Sequence, residues 1–468
     1  MYKKPLLTLL NDNSTSKRVD KKAVDALGER ICLCLQSLKA NVVLVGSTVS
    51  PVNIVFDFKL SRETPFKTIE NLADDISLAV GSPVKLFNRG TESSVFSVSV
   101  SRRDRDYFGI REMLSSDEYK KSISPLTLCA GIDELARNVV FDFAESPHLL
   151  ISGTTGSGKT VFLDDLILSI IFKASPTKVK LVLIDPSVDM NVYTGIPHLL
   201  FRPLSRKWDV YEALIHVRER MNNRFKRLAE AGMRNIERYN QEHKTQMPRI
   251  VVIIDKYLEY THEMPEGFEE CISEIARKGR AAGVHLIINA QTARSEVVSN
   301  DIKANIPARV AFSVTDWHES KAILDKTGAQ KLTGNGEMLF LPGFNASPMH
   351  IQAPNVTLRE VEKVVSCLRE RNKPVQYVQD LNVDREPIDD NVAYVIDILD
   401  AIYEDRSVDV YSIQKKMNVD FAEASDIIAF LEERKAISDF DGKGRTVKRE
   451  VIEKLLVEYR RELSQIEE

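Results

Sequence analysis

The eight residues Gly153-Thr-Thr-Gly-Ser-Gly-Lys-Thr160 constrain this chain more than any other segment. They satisfy the pattern G-x-x-x-x-G-K-[ST] in full. The run His148-Leu-Leu-Ile-Ser152 before them is apolar and suits a buried strand. Val161, Leu163, Leu166, Ile167 and Ile170 after them recur at helical spacing. A strand, a glycine-rich turn and a helix N-terminus form the context in which this pattern cradles phosphates. Gly153, Gly156 and Gly158 let the backbone curl past Thr154, Thr155 and Ser157, so that its N–H groups converge on an anion. Lys159 is then expected to neutralise the β- and γ-phosphates, and the Thr160 hydroxyl to hold a metal ion. The cofactors this predicts are ATP and Mg²⁺.

A second metal-side group is required, an acid at the tip of a neighbouring strand. Asp255 closes Ile250-Val-Val-Ile-Ile and fits that role; Asp185, at the end of a run interrupted by Lys180, is its rival. Further short apolar runs, Val179 to Asp185, Val284 to Asn289 and Ala308 to Val314, each end in polar or glycine-containing segments. Such runs suit strands buried on both faces. The expected fold class is α/β: a RecA-like P-loop core, mostly parallel, with helices on both faces. Between the runs, Val210, Leu214, Val217, Met221, Phe225 and Leu228 mark an amphipathic helix. Its charged residues, Arg218, Arg220, Arg224, Lys226 and Arg227, are expected to form a solvated face.

The 468 residues divide into four expected parts. Residues 1–145 read as a small α/β domain, with helices over Ala23–Leu38 and from Thr64-Pro65 through Ala79, and strands over Asn53–Leu60 and Ser93–Val100. Residues 146–372 are the P-loop domain. Residues 373–388 are polar and read as a linker. Residues 389–468 predict three short helices, a polar hairpin over Asp439–Arg445 and a charged terminal helix, the order of a winged helix-turn-helix. A net charge of -4 excludes a uniformly basic nucleic-acid coat but permits a local basic lining. None of the five cysteines has zinc-site spacing. No apolar run approaches a membrane span, so the chain is expected to be cytoplasmic, without a membrane partner of its own.

Several further segments resemble the FtsK/SpoIIIE family of DNA translocases, in that family's order. They are Pro147 to Thr160, Ile184-Asp-Pro186, Tyr193 to Leu200, Ala276-Arg-Lys-Gly-Arg-Ala-Ala-Gly-Val-His-Leu286 and Ile302 to Phe312. The resemblance implies an ATP-driven motor on double-stranded DNA, working as a homo-oligomer, a hexameric ring, with residues 1–145 as a second ring layer. It places Gln291 as a polar sensor of the γ-phosphate and Arg280 as an arginine finger reaching the neighbouring subunit. Arg294 and Lys321 are the expected DNA-facing cations.

Several positions depart from that family's pattern. Lys256 follows Asp255 where the family has a glutamate that polarises the attacking water, and a lysine cannot accept that proton. Glu259, three residues on, is the candidate replacement. Ser187 and Trp317 each stand where the family has a lysine, and Thr292 where it has a DNA-facing arginine. The helix Phe421-Ala-Glu-Ala-Ser-Asp-Ile-Ile428 carries Glu423 and Asp426 where the family contacts bases, which points to a protein partner or a different DNA sequence. The alternatives to a translocase are therefore a hydrolysis-impaired clamp or scaffold that binds ATP and DNA, and a conjugation- or packaging-type coupling ATPase.

Overall fold

The Asp20 carboxylate accepts from the Lys22 amide and so caps α1 (Lys21–Ser37), which buries Val24, Gly28, Ile31 and Leu35 on one face. The computed structural model describes residues 2–13, 20–50, 53–60, 66–88, 95–102, 108–261, 264, 267–344, 346–378, 392–419, 421–440 and 444–466. After α1 come β1 (Val42–Val49) and β2 (Asn53–Leu60), the latter with the bounds its alternation predicts. The single helix expected through Ala79 is two, α2 (Phe66–Glu70) and α3 (Ala73–Val80). They part because the Leu72 amide turns back tightly onto the Ile69 carbonyl at 2.9 Å. Thr64 and Pro65 lie outside the described residues. With β3 (Val84–Asn88) and β4 (Val95–Ser101) the strands form an antiparallel sheet in the order β1-β2-β4-β3. Phe56, Phe58, Phe96 and Val98 pack under Ile31, Leu35 and Ile76 as its core.

The chain continues through α4 (Ile110–Ser115), α5 (Asp117–Lys121), β5 (Thr127–Asp133), β6 (Asn138–Asp142), β7 (His148–Ser152), α6 (Lys159–Lys173), β8 (Val179–Ile184), α7 (Lys207–Glu230), α8 (Ile236–Glu242), β9 (Arg249–Ile254), α9 (Phe268–Ala282), β10 (Val284–Ala290), α10 (Asn300–Ala304), β11 (Ala308–Phe312), α11 (Trp317–Leu324), β12 (Glu337–Leu341), β13 (Met349–Gln352) and α12 (Leu358–Arg371). A nine-stranded sheet runs β6-β5-β13-β12-β11-β7-β10-β9-β8. Its half β11-β7-β10-β9-β8, the five apolar runs, is parallel throughout. The other half is antiparallel. Because β5 and β6 join this sheet, it takes in residues 127–142, which the sequence assigns to the first domain.

Alternate residues of each parallel strand enter opposite cores. Leu149 and Ile151 of β7, Val251 and Ile253 of β9 and Ile287 of β10 pack with α6 and α12. Leu150, Val252, Ile254, Leu286 and Ile288 pack with α7 and α9. Both faces are therefore covered, as runs without polar alternation require. Arg224 departs from the solvated face expected of it. It is 7% exposed and donates to the carbonyls of Ala282 at 2.8 Å, Gly283 at 3.4 Å and Pro248 at 2.6 Å, joining the end of α9 to the start of β9.

Of the expected linker, residues 379–388 lie outside the described residues. The part before them is tied down: the Val378 amide donates to the Leu200 carbonyl and the Tyr377 hydroxyl accepts from the Gly195 amide. The C-terminal part has its own core. It comprises α13 (Val392–Ile402), β14 (Ser407–Val408), α14 (Val410–Met417), α15 (Phe421–Glu433), β15 (Arg445–Thr446) and α16 (Arg449–Ile466), with β14 antiparallel to β15. That is the element order of a winged helix-turn-helix; hairpin residues 441–443 lie outside the described residues. Its α15 rests on α7, with Phe421 6.1 Å from Trp208 between ring centres and Asp426 3.6 Å from Arg206.

Candidate nucleotide site

The glycine-rich loop leaves β7 and enters α6 through residues that no side chain could replace. A Cβ on Gly153 (φ 153°) would stand 2.7 Å from the Phe312 Cβ, and one on Gly158 (φ 117°) 3.1 Å from the Gly336 backbone. Both glycines let β11 and the segment before β12 press against the loop. The Thr154 amide donates to the Ser313 carbonyl at 2.9 Å, and the Gly336 amide to that of Ser157 at 3.0 Å. The loop is thus clamped from two sides. The buried Lys159 ammonium folds back onto the carbonyls of Gly153 at 2.7 Å and Thr154 at 2.8 Å. Burial lowers its pKa, and the nearby Asp255 partly offsets this.

A cleft of about 250 Å³ opens at the loop. Thr155, Gly156, Gly158, Lys159 and Thr160 line it on one side; Asp255, Lys256, Asn289 and Gln291 line it on the other. The parallel order β7-β10-β9 brings these sides together, because all three strands end at the same edge. Asp255 is buried, and desolvation raises its pKa against the opposing effects of Asn289 and the Lys256 amide. The Lys256 amide donates to its Oδ1 at 2.8 Å, and the Asn289 side-chain amide donates to the same oxygen. Oδ2 is left as the oxygen available to a cation. The neighbouring Asp164, one turn beyond Thr160, is pushed up to about 6 by burial, with the Tyr193 hydroxyl opposing and Asp255 and Asp189 adding to the rise.

Asp185 is committed elsewhere. Its Oδ1 accepts from the Ser187 amide at 3.0 Å and hydroxyl at 2.6 Å, and its Oδ2 from the Met190 amide at 3.0 Å. It organises the loop after β8 and does not line the cleft. Among the described residues no group of three or more His, Cys, Asp or Glu side chains forms a metal centre. That suits Mg²⁺, which keeps several waters and takes only one or two protein oxygens beside phosphate. Thr160 and Asp255, which line the same cleft, are the residues that could hold such an ion.

The remaining expected residues are not all brought to this cleft. Gln291 lines the cleft at the end of β10. Glu259 is exposed on the turn after Lys256 and is not among the cleft-lining residues. Arg280, at the end of α9, lines a separate cleft of about 940 Å³ with Arg234, Arg249, Arg277 and Lys278. Arg294 pairs with Glu319 at 3.1 Å, and Thr292 donates to that carboxylate at 3.3 Å. Lys321 is exposed on α11, near the exposed Trp317. Asn289 was not legible in the sequence; nothing in its own strand marks it, since its role depends on β9 lying beside β10.

A glycine-rich loop between a central parallel strand and a helix, with an acid on a strand one place removed, defines a P-loop nucleotide-binding fold. The conjugation coupling protein TcpA of pCW3, solved in monomer form with ATPgS, shares this fold at a TM-score of 0.51 and 20% identity, over 73% of this chain and 99% of that one. Residues 109–295 match the model of the FtsK/SpoIIIE family. It is 34% identical to DNA translocase FtsK of Clostridium acetobutylicum over 94% of this chain and 60% of the relative. It is 33% identical to the FtsK of Caldanaerobacter subterraneus over 97% and 65%, and 31% identical to DNA translocase SftA of Bacillus subtilis over 94% and 47%. The chain thus spans about half to two-thirds of the length of these relatives.

Proposed function

We propose that this chain is the motor subunit of an ATP-dependent translocase on double-stranded DNA. The observation that carries the reading is the meeting of Lys159, Thr160, Asp255 and Gln291 at one cleft, on strands whose order puts their ends side by side. Likeness to proteins named DNA translocases along nearly the whole chain supports the DNA substrate. Mg²⁺, held by Thr160 and Asp255, would offset phosphate charge during transfer. Lys159 turns from the loop carbonyls to the β- and γ-phosphates, and Gln291 contacts the γ-phosphate side of the cleft.

Arg280 supports assembly as a ring. It stands in a different cleft from its own glycine-rich loop, where it serves a neighbouring copy's nucleotide and not its own. The homo-oligomer is a hexamer enclosing DNA, with the β1–β4 sheet domain as a second layer. The segments after Gln291 and around Trp317–Lys321 face the phosphate backbone, with Arg294 and Lys321 as cations. The protein acts in the cytoplasm; no helix among the described residues is long and apolar enough to cross a membrane. The α15 helix serves a protein partner or a different DNA sequence, although Phe421 and Asp426 themselves rest on Trp208 and Arg206 of this chain.

One observation favours a second reading, a clamp that binds ATP and DNA and hydrolyses slowly. Lys256 lines the cleft where a water-polarising carboxylate is needed, and Glu259 does not line it. Phosphate release from Mg²⁺–ATP, measured with and without duplex DNA and beside ATP-driven displacement of a triplex strand, separates the two. DNA-stimulated release with displacement is the motor's result. Tight binding of both ligands without displacement overturns the motor in favour of the clamp.

A further inference from the structure

Lys256 takes a left-handed backbone conformation, φ 50°, directly after Asp255. Non-glycine residues enter that region at an energetic cost. Here the conformation does two things at once. It turns the Lys256 amide inward onto Asp255 Oδ1, and it starts the turn in which the Glu259 amide donates to the Lys256 carbonyl at 2.9 Å. The side chain is left on the rim of the nucleotide cleft, which it lines opposite Lys159.

The partner of its ammonium is Asp189, at 3.6 Å from Oδ2. The lysine side chain is 31% exposed and the aspartate 65%. An open ion pair of this length contributes little and is readily exchanged. Asp189 has a second neighbour, because the Ser187 hydroxyl lies 2.8 Å from Oδ2 and shares its one proton between that oxygen and Asp185 Oδ1. A terminal phosphate carries more charge than a carboxylate, so its attraction for an ammonium is stronger. A diphosphate lacks that group.

We propose that Lys256 is a terminal-phosphate sensor: its ammonium leaves Asp189 for the γ-phosphate of a bound nucleoside triphosphate and returns when a diphosphate remains. This rests on the nucleotide-binding reading above. It gives the lysine a binding role, discrimination of triphosphate from diphosphate, in place of the water activation it cannot perform. It also couples the loop after β8 to the nucleotide, since Asp189 shares Ser187 with Asp185, the anchor of that loop.

Calorimetric titration of the full chain with ATPγS and with ADP, each with Mg²⁺, tests it. In Lys256→Met, ATPγS affinity should fall roughly tenfold, the loss of one charge-assisted contact, with ADP affinity unchanged. In Asp189→Asn, where the competing carboxylate is gone, ATPγS should bind about two- to fivefold more tightly. An unchanged ATPγS-to-ADP ratio in Lys256→Met, or ATPγS affinity unchanged or weakened in Asp189→Asn, overturns the sensor while the nucleotide site stands. A parent that binds neither nucleotide overturns the nucleotide-binding reading and the sensor with it.

Discussion

The Asn289 side-chain amide, at the end of β10, donates to Oδ1 of Asp255, at the end of β9. Both residues are buried, and the Asn289 carbonyl oxygen has no hydrogen-bond partner among the described residues. The pairing fixes which Asp255 oxygen remains for a cation. Asn289→Ala should therefore weaken Mg²⁺–nucleotide binding and cost stability as well. Removing one donor from a buried carboxylate costs about 1–3 kcal/mol. Urea unfolding beside calorimetric titration reads both losses; a variant that keeps full Mg²⁺–ATP affinity would refute the orienting role.

Lys159→Ala should abolish nucleotide binding. The lysine is the P-loop's own cation, and its ammonium already lies among the loop carbonyls. Because the loop is also clamped by Ser313 and Gly336, its shape should survive the change. Titration with Mg²⁺–ATP and near-unchanged far-UV circular dichroism together check this. Unaltered affinity would remove the cleft from consideration.

Asp165 lies on the buried face of α6, fully buried, and neither carboxylate oxygen has a hydrogen-bond partner among the described residues. Burial, then Asp164 and Glu360, raise its pKa well above the ordinary value. The sign follows from proton uptake: the folded state keeps a proton that the unfolded chain releases. Stability is therefore greatest below the unfolded pKa, about 3.9, and falls as pH rises from there toward the folded value. Asp165→Leu, nearly the same shape, should stabilise the protein by about 1–3 kcal/mol at neutral pH, with the gain shrinking on acidification to pH 4. Denaturant titrations at several pH values measure it; an equal or larger gain at low pH would contradict the assignment.

The parallel half of the sheet was legible because β7 to β11 are apolar on both faces, and a strand covered on both sides has no polar alternation to hide it. The antiparallel strands β5, β6, β12 and β13 were not, because their runs are short and mixed and β5 joins the sheet only through β13, more than 200 positions away. Lys159, Thr160 and Asp255 carry their chemistry in local sequence. Asn289 does not, and neither does Arg224, whose charge sits among other charges on α7. Only the folded chain places the carbonyls of Ala282, Gly283 and Pro248 around that guanidinium.

Arg224→Met should accordingly destabilise the protein, unlike a change at the exposed Lys226. Three carbonyls lose a charged donor, and hydrogen bonds to charged groups contribute about 1.5–3 kcal/mol. Thermal unfolding of the two single variants compares them directly. A shift for Arg224→Met no larger than that for Lys226→Met would show that the carbonyl cluster is satisfied without it.

The rate of turnover should depend on Lys256. If a water-activating carboxylate is missing, Lys256→Glu should restore one beside Asp255 and accelerate ATP hydrolysis substantially. General-base and water-positioning groups contribute about 10²–10⁴-fold, well above assay noise. The same change removes the ammonium from the cleft rim, so faster turnover should come with weaker preference for triphosphate over diphosphate. The rival is Glu259, three residues on. For it to serve, the exposed turn that carries it must move its carboxylate into a cleft that it does not line. That rival predicts brisk DNA-stimulated turnover in the parent chain and its collapse in Glu259→Gln. The placement of Glu259 outside the cleft favours slow turnover in the parent. Steady-state phosphate release from the parent, Lys256→Glu and Glu259→Gln, each with duplex DNA, gives the answer: a fast parent that is indifferent to Lys256→Glu and disabled by Glu259→Gln would assign the water to Glu259.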